Sequence, residues 1–255
     1  MIRHFSILFY LSLLATNSCI GRKGFVHAFG IVDPTIVAVP LTSTTKMNER
    51  PSPKWTSYSK DAPNPLKSSL FTSNELWSNS AYQSSLRLHS ILTNCTDSYI
   101  SPLLHSALRN LANAYRLYGP ENVIASFNGG KDAVVILELL RAAHARYYAD
   151  FLLDNTDEKV VMIKPRVIYF DSVNEFPQVL SFVQKSVNDY DLNMLAFEDG
   201  VGFKMGLQML VDSSYPTHLG FVLGTRASDP NAKDQGIFAP SSSYMPRFMR
   251  GMLLI

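Results

Sequence analysis

Cysteine is nearly absent from this chain: among 255 residues only Cys19 and Cys95 occur. That scarcity excludes a disulfide scaffold and a Cys-rich zinc site, and leaves two unpaired thiols. Charge is sparse as well, 17% of residues with a formal balance of +2, so no broad nucleic-acid-binding surface is implied. Long hydrophobic runs are missing. The apolar stretch Phe5–Ala15 covers eleven residues, short of the roughly 20 that a bilayer-spanning helix needs. His89, His105 and His144 are scattered and form no i, i+4 metal pair. No internal repeat is visible. What the chain does have is ample apolar material, 46% of residues, enough to bury a core.

The charge that exists is unevenly placed. Residues 1–60 hold seven basic side chains against two acidic ones, Asp33 and Glu49. Arg3 and His4 precede the short apolar stretch, and Val26-His27-Ala28 offers small residues at cleavage-site spacing, so residues 1–28 read as a signal peptide. From Thr35 to about Ser90 close to a third of the residues are Ser or Thr, prolines recur and acids are few. Neither helical nor strand periodicity persists there, so 29–96 is expected to be a disordered or transit-like segment. Together the two parts resemble the bipartite address of proteins sent to plastids; the expected compartment is a plastid or another organelle, with the cytoplasm as the alternative. No membrane span is expected in the mature chain.

From Asp97 onward the pattern tightens. Asp97 or Ser98 can cap a helix running to about Tyr118, with Leu104, Leu108, Leu111, Ala112 and Tyr115 at helical spacing and Gly119-Pro120 as its stop. Val123–Phe127 suits a buried parallel strand. Ala133 to about Tyr148 reads as helix, with Ile136, Leu139, Leu140 and Ala143 on one face. Arg166–Phe170, Leu192–Phe197 and Leu219–Leu223 are further strands, and 175–191 and 201–212 further helices. In the last of these, Phe203, Met205, Leu207, Met209 and Leu210 are expected in the core. This alternation predicts an α/β fold, a Rossmann-like parallel sheet with helices on both faces, over 97–255. Ligands of such sheets bind beyond the carboxyl ends of the strands, where 128–132, Asp171 and 224–230 all fall.

The loop Ser126-Phe127-Asn128-Gly129-Gly130-Lys131-Asp132 joins a strand to a helix. Its glycines let backbone N–H groups approach an anion, and the helix start favours negative charge. Lys131 can add a positive charge, and Asp132 can cap the helix or hold Mg²⁺. The loop is neither Gly-x-x-x-x-Gly-Lys nor Gly-x-Gly-x-x-Gly. It resembles the pyrophosphate loop of the adenine nucleotide alpha hydrolase-like family that includes PAPS reductases, GMP synthetases and FAD synthases. With Asn at its start it is similar to the FAD synthase version. A second motif, Gly224-Thr225-Arg226-Ala227-Ser228-Asp229-Pro230, is similar to the Gly-x-Arg-x-x-Asp-Pro of FAD synthases. Glu175-Phe176-Pro177, the tract Asn188–Phe197, and Pro246 with Phe248, Met249 and Arg250 extend the resemblance over about 97–250.

Two departures stand out. Met245 occupies a position where relatives carry Trp, and relatives continue past the Met-Arg with a Trp-containing helix and basic residues. The expectation is a sequence truncated at its carboxyl end, either by its gene model or as an inactive nucleotide-binding fragment. The resemblance implies FMN adenylyl transfer from ATP, with ATP and FMN as substrates and Mg²⁺ as cofactor. It assigns Asn128 to the α-phosphate, the backbone of 128–131, with Ser126 and Phe127, to the phosphates, and Asp132 to the metal. Asp171 would lie by the adenosine, Gly224 would permit a sharp exit from its strand, and Arg226, Asp229 and Arg250 would face FMN. Asn128, Asp132 and Asp229 are the expected catalytic residues. The alternative enzyme, a PAPS reductase or sulfur-transfer relative, needs a reactive cysteine, and none follows Cys95. The chain is expected to be a monomer or weak oligomer without a nucleic-acid partner. His218 and the Glu198-Asp199 turn are read as structural, the latter as a solvated turn.

Overall fold

The structure is a computed structural model that describes residues 56–58, 71, 76–154, 160–214, 217–225, 236–240 and 253–254. All of these belong to one compact unit, Trp55–Ile255. The expected signal segment 1–28 lies outside the described residues.

The elements in chain order are β1 (Thr56–Tyr58), α1 (Asn79–Thr93), α2 (Ile100–Tyr118), β2 (Val123–Ser126), α3 (Lys131–Asp154), β3 (Arg166–Phe170), α4 (Pro177–Tyr190), β4 (Asn193–Phe197), α5 (Phe203–Ser214), β5 (Gly220–Val222), β6 (Gly224–Thr225) and β7 (Leu253–Leu254). Local chemistry sets many of their ends. Asp97 Oδ1 accepts from the Tyr99 and Ile100 amides at 2.9 and 2.8 Å, satisfying donors that the first turn of α2 leaves over. Gly119 ends that helix at φ 77°, a left-handed conformation that costs glycine nothing. Pro177 opens α4 and Asp191, at φ 53°, closes it.

β1, β4, β3, β2 and β5 form one sheet in that order, every pair parallel. The chain walks outward from β2 through β3 to β4, then returns past its start to place β5 on the other side of β2. That reversal is the switch point at which open parallel sheets leave a crevice beyond their carboxyl ends. One face carries Ile124, Ile168, Leu195, Phe197 and Phe221, which pack against Leu207 and Leu210 of α5. Approach there is close: a Cβ on Gly206 would stand 2.7 Å from Phe170 Cε1. Phe203 and Met205, expected in the core, are instead exposed, because Gly206, Leu207 and Leu210 form the inward stripe of α5. On the opposite side, α2 meets the sheet where Gly220 touches Tyr118, and α4 meets it through Phe182 against Phe127.

Two further expectations need correction. The segment 29–96 is not structureless throughout, since β1 joins the sheet edge and α1 is a regular helix. Ala81, Tyr82, Ser85, Leu88 and Leu92 form its buried stripe, a helical spacing that the many neighbouring serines conceal. Ser85 is tolerated inside because it accepts from Arg141 Nη1 at 3.1 Å. The ordered body therefore begins upstream of Asp97. Second, α3 is longer than 133–148 and is buried all round over 136–145, not on one face. Sheet lies on one side and α1 and α2 on the other. Glu138, Arg141 and His144, polar in sequence, are consequently core residues.

Candidate functional site

Strand β2 ends at Ser126, and the Phe127 amide still bonds to Ile168 O at 2.9 Å, so the chain leaves the sheet only at Asn128. Gly129 turns it with φ 74°; any side chain there would press on Val183 and Val179 of α4 at 3.1 and 3.2 Å. Asn128 Oδ1 accepts from the Gly130 amide at 3.0 Å, which locks the bend. The Gly130 carbonyl then accepts from Val134, beginning α3. The outcome is a tight, exposed turn that delivers the amino-terminal end of a 24-residue helix to the rim of the sheet. Its first N–H groups have no intrahelical partner, and the helix dipole adds positive potential. Lys131 and Asp132 are exposed in that first turn.

The second motif arrives beside it. Gly224 lies against the first turns of α3: a Cβ there would stand 2.9 Å from Ile136 Cγ1 and 3.6 Å from the Asp132 carbonyl. Only glycine allows that approach without displacing Ile136. The structure thus brings the start of the Gly224–Pro230 motif to the Asn128–Asp132 loop, as the sheet order requires. Arg226, Asp229 and Arg250 lie outside the described residues.

On the other side of the loop is a cavity of about 610 Å³, open at the carboxyl ends of β2, β3 and β4. The β2 end contributes Ser126, Phe127 and Asn128. From the β3 end come Phe170, Asp171, Ser172 and Glu175. Asp171 is held there by its amide, which donates to Phe197 O at 2.8 Å, and by its Oδ1, which accepts from Ser172 N at 2.9 Å. Glu175 Oε1 accepts from the Phe176 amide at 3.1 Å. The β4 end adds Asp199 and the glycine-containing turn into Phe203. Of the sequence-predicted residues, then, Ser126, Phe127, Asn128 and Asp171 share this cavity. Gly129, Gly130, Lys131 and Asp132 continue from its edge into α3, and Gly224 backs them.

Phe170, Ser172, Asp199 and Phe203 also line the cavity, and sequence reasoning did not place them there. Asp199 is as exposed as a solvated turn should be, yet it faces the cavity. The usable signal was its position just past the third parallel strand. Among the described residues no group of three or more His, Cys, Asp or Glu is arranged to hold a metal. His144, by contrast, is far from this chemistry in character. It is fully buried, its Nε2 meets Ile163 O at 2.9 Å, and burial pushes its pKa down to about 4, against the opposing pull of that bond. Rings of Trp77, Tyr115 and Tyr148 surround it at 5.1–5.2 Å.

Comparison with known proteins agrees with this geometry. Residues 122–217 match the phosphoadenosine phosphosulfate reductase domain. The chain is similar to a probable FAD synthase of Caenorhabditis elegans, 32% identical over 117 residues, 46% of this chain and 20% of that protein. A probable FAD synthase of Schizosaccharomyces pombe is 27% identical over 149 residues, 58% of this chain and 52% of the relative. The chain thus spans about half the length of the second relative and a fifth of the first. Among solved structures, Candida glabrata FMN adenylyltransferase in complex with FAD and inorganic pyrophosphate superposes with TM-score 0.59 at 18% identity, covering 71% of this chain and 65% of that one. Yeast FAD synthetase in complex with FAD gives TM-score 0.54 at 21% identity, over 69% and 61%. These likenesses establish the α/β fold and the resemblance to FAD synthases.

Proposed function

We propose that the chain transfers the adenylyl group of ATP to FMN, giving FAD and pyrophosphate. The observation that carries this reading is the packing of Gly224, the start of the second motif, on the helix turn that follows Asn128–Lys131 at the sheet rim. Similarity to the probable FAD synthases of Caenorhabditis elegans and Schizosaccharomyces pombe supports it.

A phosphate oxygen of FMN attacks the α-phosphorus of ATP, the bond to the bridging oxygen breaks, and pyrophosphate leaves with that electron pair. No enzyme-bound covalent intermediate is needed, so alignment and charge stabilisation supply the rate. Asn128 orients the α-phosphate. The loop amides and the first turn of α3 hold the β- and γ-phosphates, and Lys131 balances their charge. Asp171 stands by the adenosine. Arg226, Asp229 and Arg250 face FMN.

Asp132 is a hard oxygen donor at the edge of the phosphate site, and it fits Mg²⁺, which is commonly held by one or two carboxylates plus substrate phosphates. Bound there, the metal would neutralise charge on the leaving pyrophosphate. The PAPS reductase alternative, which needs a reactive cysteine near the carboxyl end, is not favoured: Cys95 is buried and no cysteine follows it in the sequence.

Incubation with ATP, Mg²⁺ and FMN, followed by chromatography of the flavins, tests the reading. FAD and pyrophosphate should form in equal amounts, and Asp132→Ala should lower the rate by roughly 100-fold or more. Unchanged FAD formation by that variant would remove Asp132 from the site; ATP binding without any FAD would mark a non-catalytic fragment. The chain is read as a monomer or weak oligomer with small-molecule partners and no nucleic acid. No helix among the described residues is long and apolar enough to cross a membrane. Its compartment is taken to be a plastid or other organelle, with the cytoplasm as the alternative; a fluorescent fusion to residues 1–96 that stays cytosolic would favour the latter.

A further inference from the structure

We infer that the outer edge of β4 is a self-pairing surface for a second copy of this chain, and that β1 keeps it closed. The inference is independent of the proposed activity.

The direction of the main-chain groups in β4 comes first. The Asn193 amide donates to Pro165 O at 2.9 Å, and Phe197 O accepts from the Asp171 amide at 2.8 Å, so both residues face β3. Successive residues of a strand turn these groups to opposite sides. Met194 and Ala196 therefore face the other way, toward β1, where Thr56, Ser57 and Tyr58 stand opposite Leu195, Ala196 and Phe197.

Without β1, β4 would be the kind of edge that native sheets avoid. Asn193–Phe197 contains no charge, proline or glycine, it is buried throughout, and its register with β3 runs without a bulge. β1, three residues long, leaves only a short edge of its own. Phe71, the next described residue along the chain, belongs to the same buried cluster as Leu195 and Phe197. The core therefore keeps its upstream anchor when β1 is displaced.

A second β4 fits the bare edge by symmetry. Two copies related by a two-fold axis at Leu195 run antiparallel, with Met194 of each opposite Ala196 of the other. Those are the residues whose N–H and C=O groups point outward, so each pair exchanges both of its N–H···O bonds. One continuous sheet then runs through the dimer. β1 and the second copy compete for the same groups: a chain with β1 paired is a monomer, and a chain with β1 displaced is a dimer.

The experiment compares the full chain with a full-length variant carrying Thr56→Pro, Ser57→Pro and Tyr58→Pro, since proline cannot donate to a ladder. Sedimentation equilibrium is run over a concentration series with reductant, so that Cys19 cannot link copies. The unmodified chain, which carries the same apolar Phe5–Ala15 stretch, should keep the mass of one chain. The variant should rise toward roughly twofold with concentration, and a synthetic peptide of residues 54–60 should return it to one. A variant that stays monomeric, or one that associates without responding to the peptide, would overturn the inference. So would an Ala196 amide that exchanges in the unmodified chain as fast as free peptide. Thermal melts accompany both chains. If the triple variant melts without cooperativity, Tyr58→Pro alone is measured in the same way, and loss of cooperative melting there too would show that β1 cannot leave an intact core, which also overturns the inference.

Discussion

His144 shows how a single position can acquire a role that its neighbours in sequence do not announce. It follows two alanines on a helix and ends up enclosed by three aromatic rings, with one nitrogen on Ile163 O. The Ile163 amide is satisfied from the same helix, by Tyr148 Oη at 3.1 Å. His144 is thus a structural residue that ties the approach to β3 onto α3. Its pKa falls from 6.5 to about 4 on folding, so below pH 6.5 the unfolded chain binds a proton that the folded chain refuses. Its contribution is therefore present above pH 6.5 and is lost as the pH falls toward 4, by an amount on the order of 3 kcal/mol across that window. Urea unfolding at pH 7 and pH 5 should show the loss, and His144→Gln should flatten it. A variant with the same slope as the parent would mean other groups govern acid stability. Asp191 adds a smaller dependence: burial pushes its carboxyl up, but the Ser78 amide and Lys164 together hold it below the usual range.

Among the elements, α3 is the one whose sequence pattern understated its burial. Ile136, Leu139, Leu140 and Ala143 mark one face, and the remaining face looks polar because it carries Glu138 and Arg141. Those two pair with each other at 2.7 Å, Arg141 also donates to Ser85, and its guanidinium lies 4.2 Å over the Tyr190 ring. The pair is almost wholly buried, so each charge depends on the other. Replacing Arg141 by Met should cost about 3–5 kcal/mol in chemical denaturation, and adding Glu138→Leu should recover much of the loss. Little change in the single variant would show that the pair is solvated in solution. Turn chemistry was far easier to read. Asp97 as a cap, Gly119 as a stop, and Asn128-Gly129-Gly130 as a strand-to-helix bend each work through contacts within four residues.

For the whole molecule, the point at issue is where the ordered body starts. Trp77 is buried, donates from Nε1 to Tyr190 O at 3.1 Å, and its amide bonds Met162 O at 2.8 Å. With α1 it closes the outer side of α3. A chain beginning at Asp97 would expose that side, including Arg141 and His144, and should show no cooperative thermal transition. A chain beginning at Trp55 should melt like the full protein. If the shorter chain melts normally, α1 is an accessory and not part of the core.

By itself the amino-acid sequence determined the kind and order of the elements from Asp97 to Leu223 and the glycine bend before α3, because these depend on hydrophobic period and turn preference over a few residues; its two short motifs carried the resemblance to FAD synthases. Only the tertiary structure decided that β5 and β4 flank β2 and β3, that Gly224 rests on α3, and that Asp199 and Phe203 share a cavity with Asn128. Each of those arises from pairing between segments tens of residues apart. No local preference encodes such a contact; it exists only once the sheet has chosen its order.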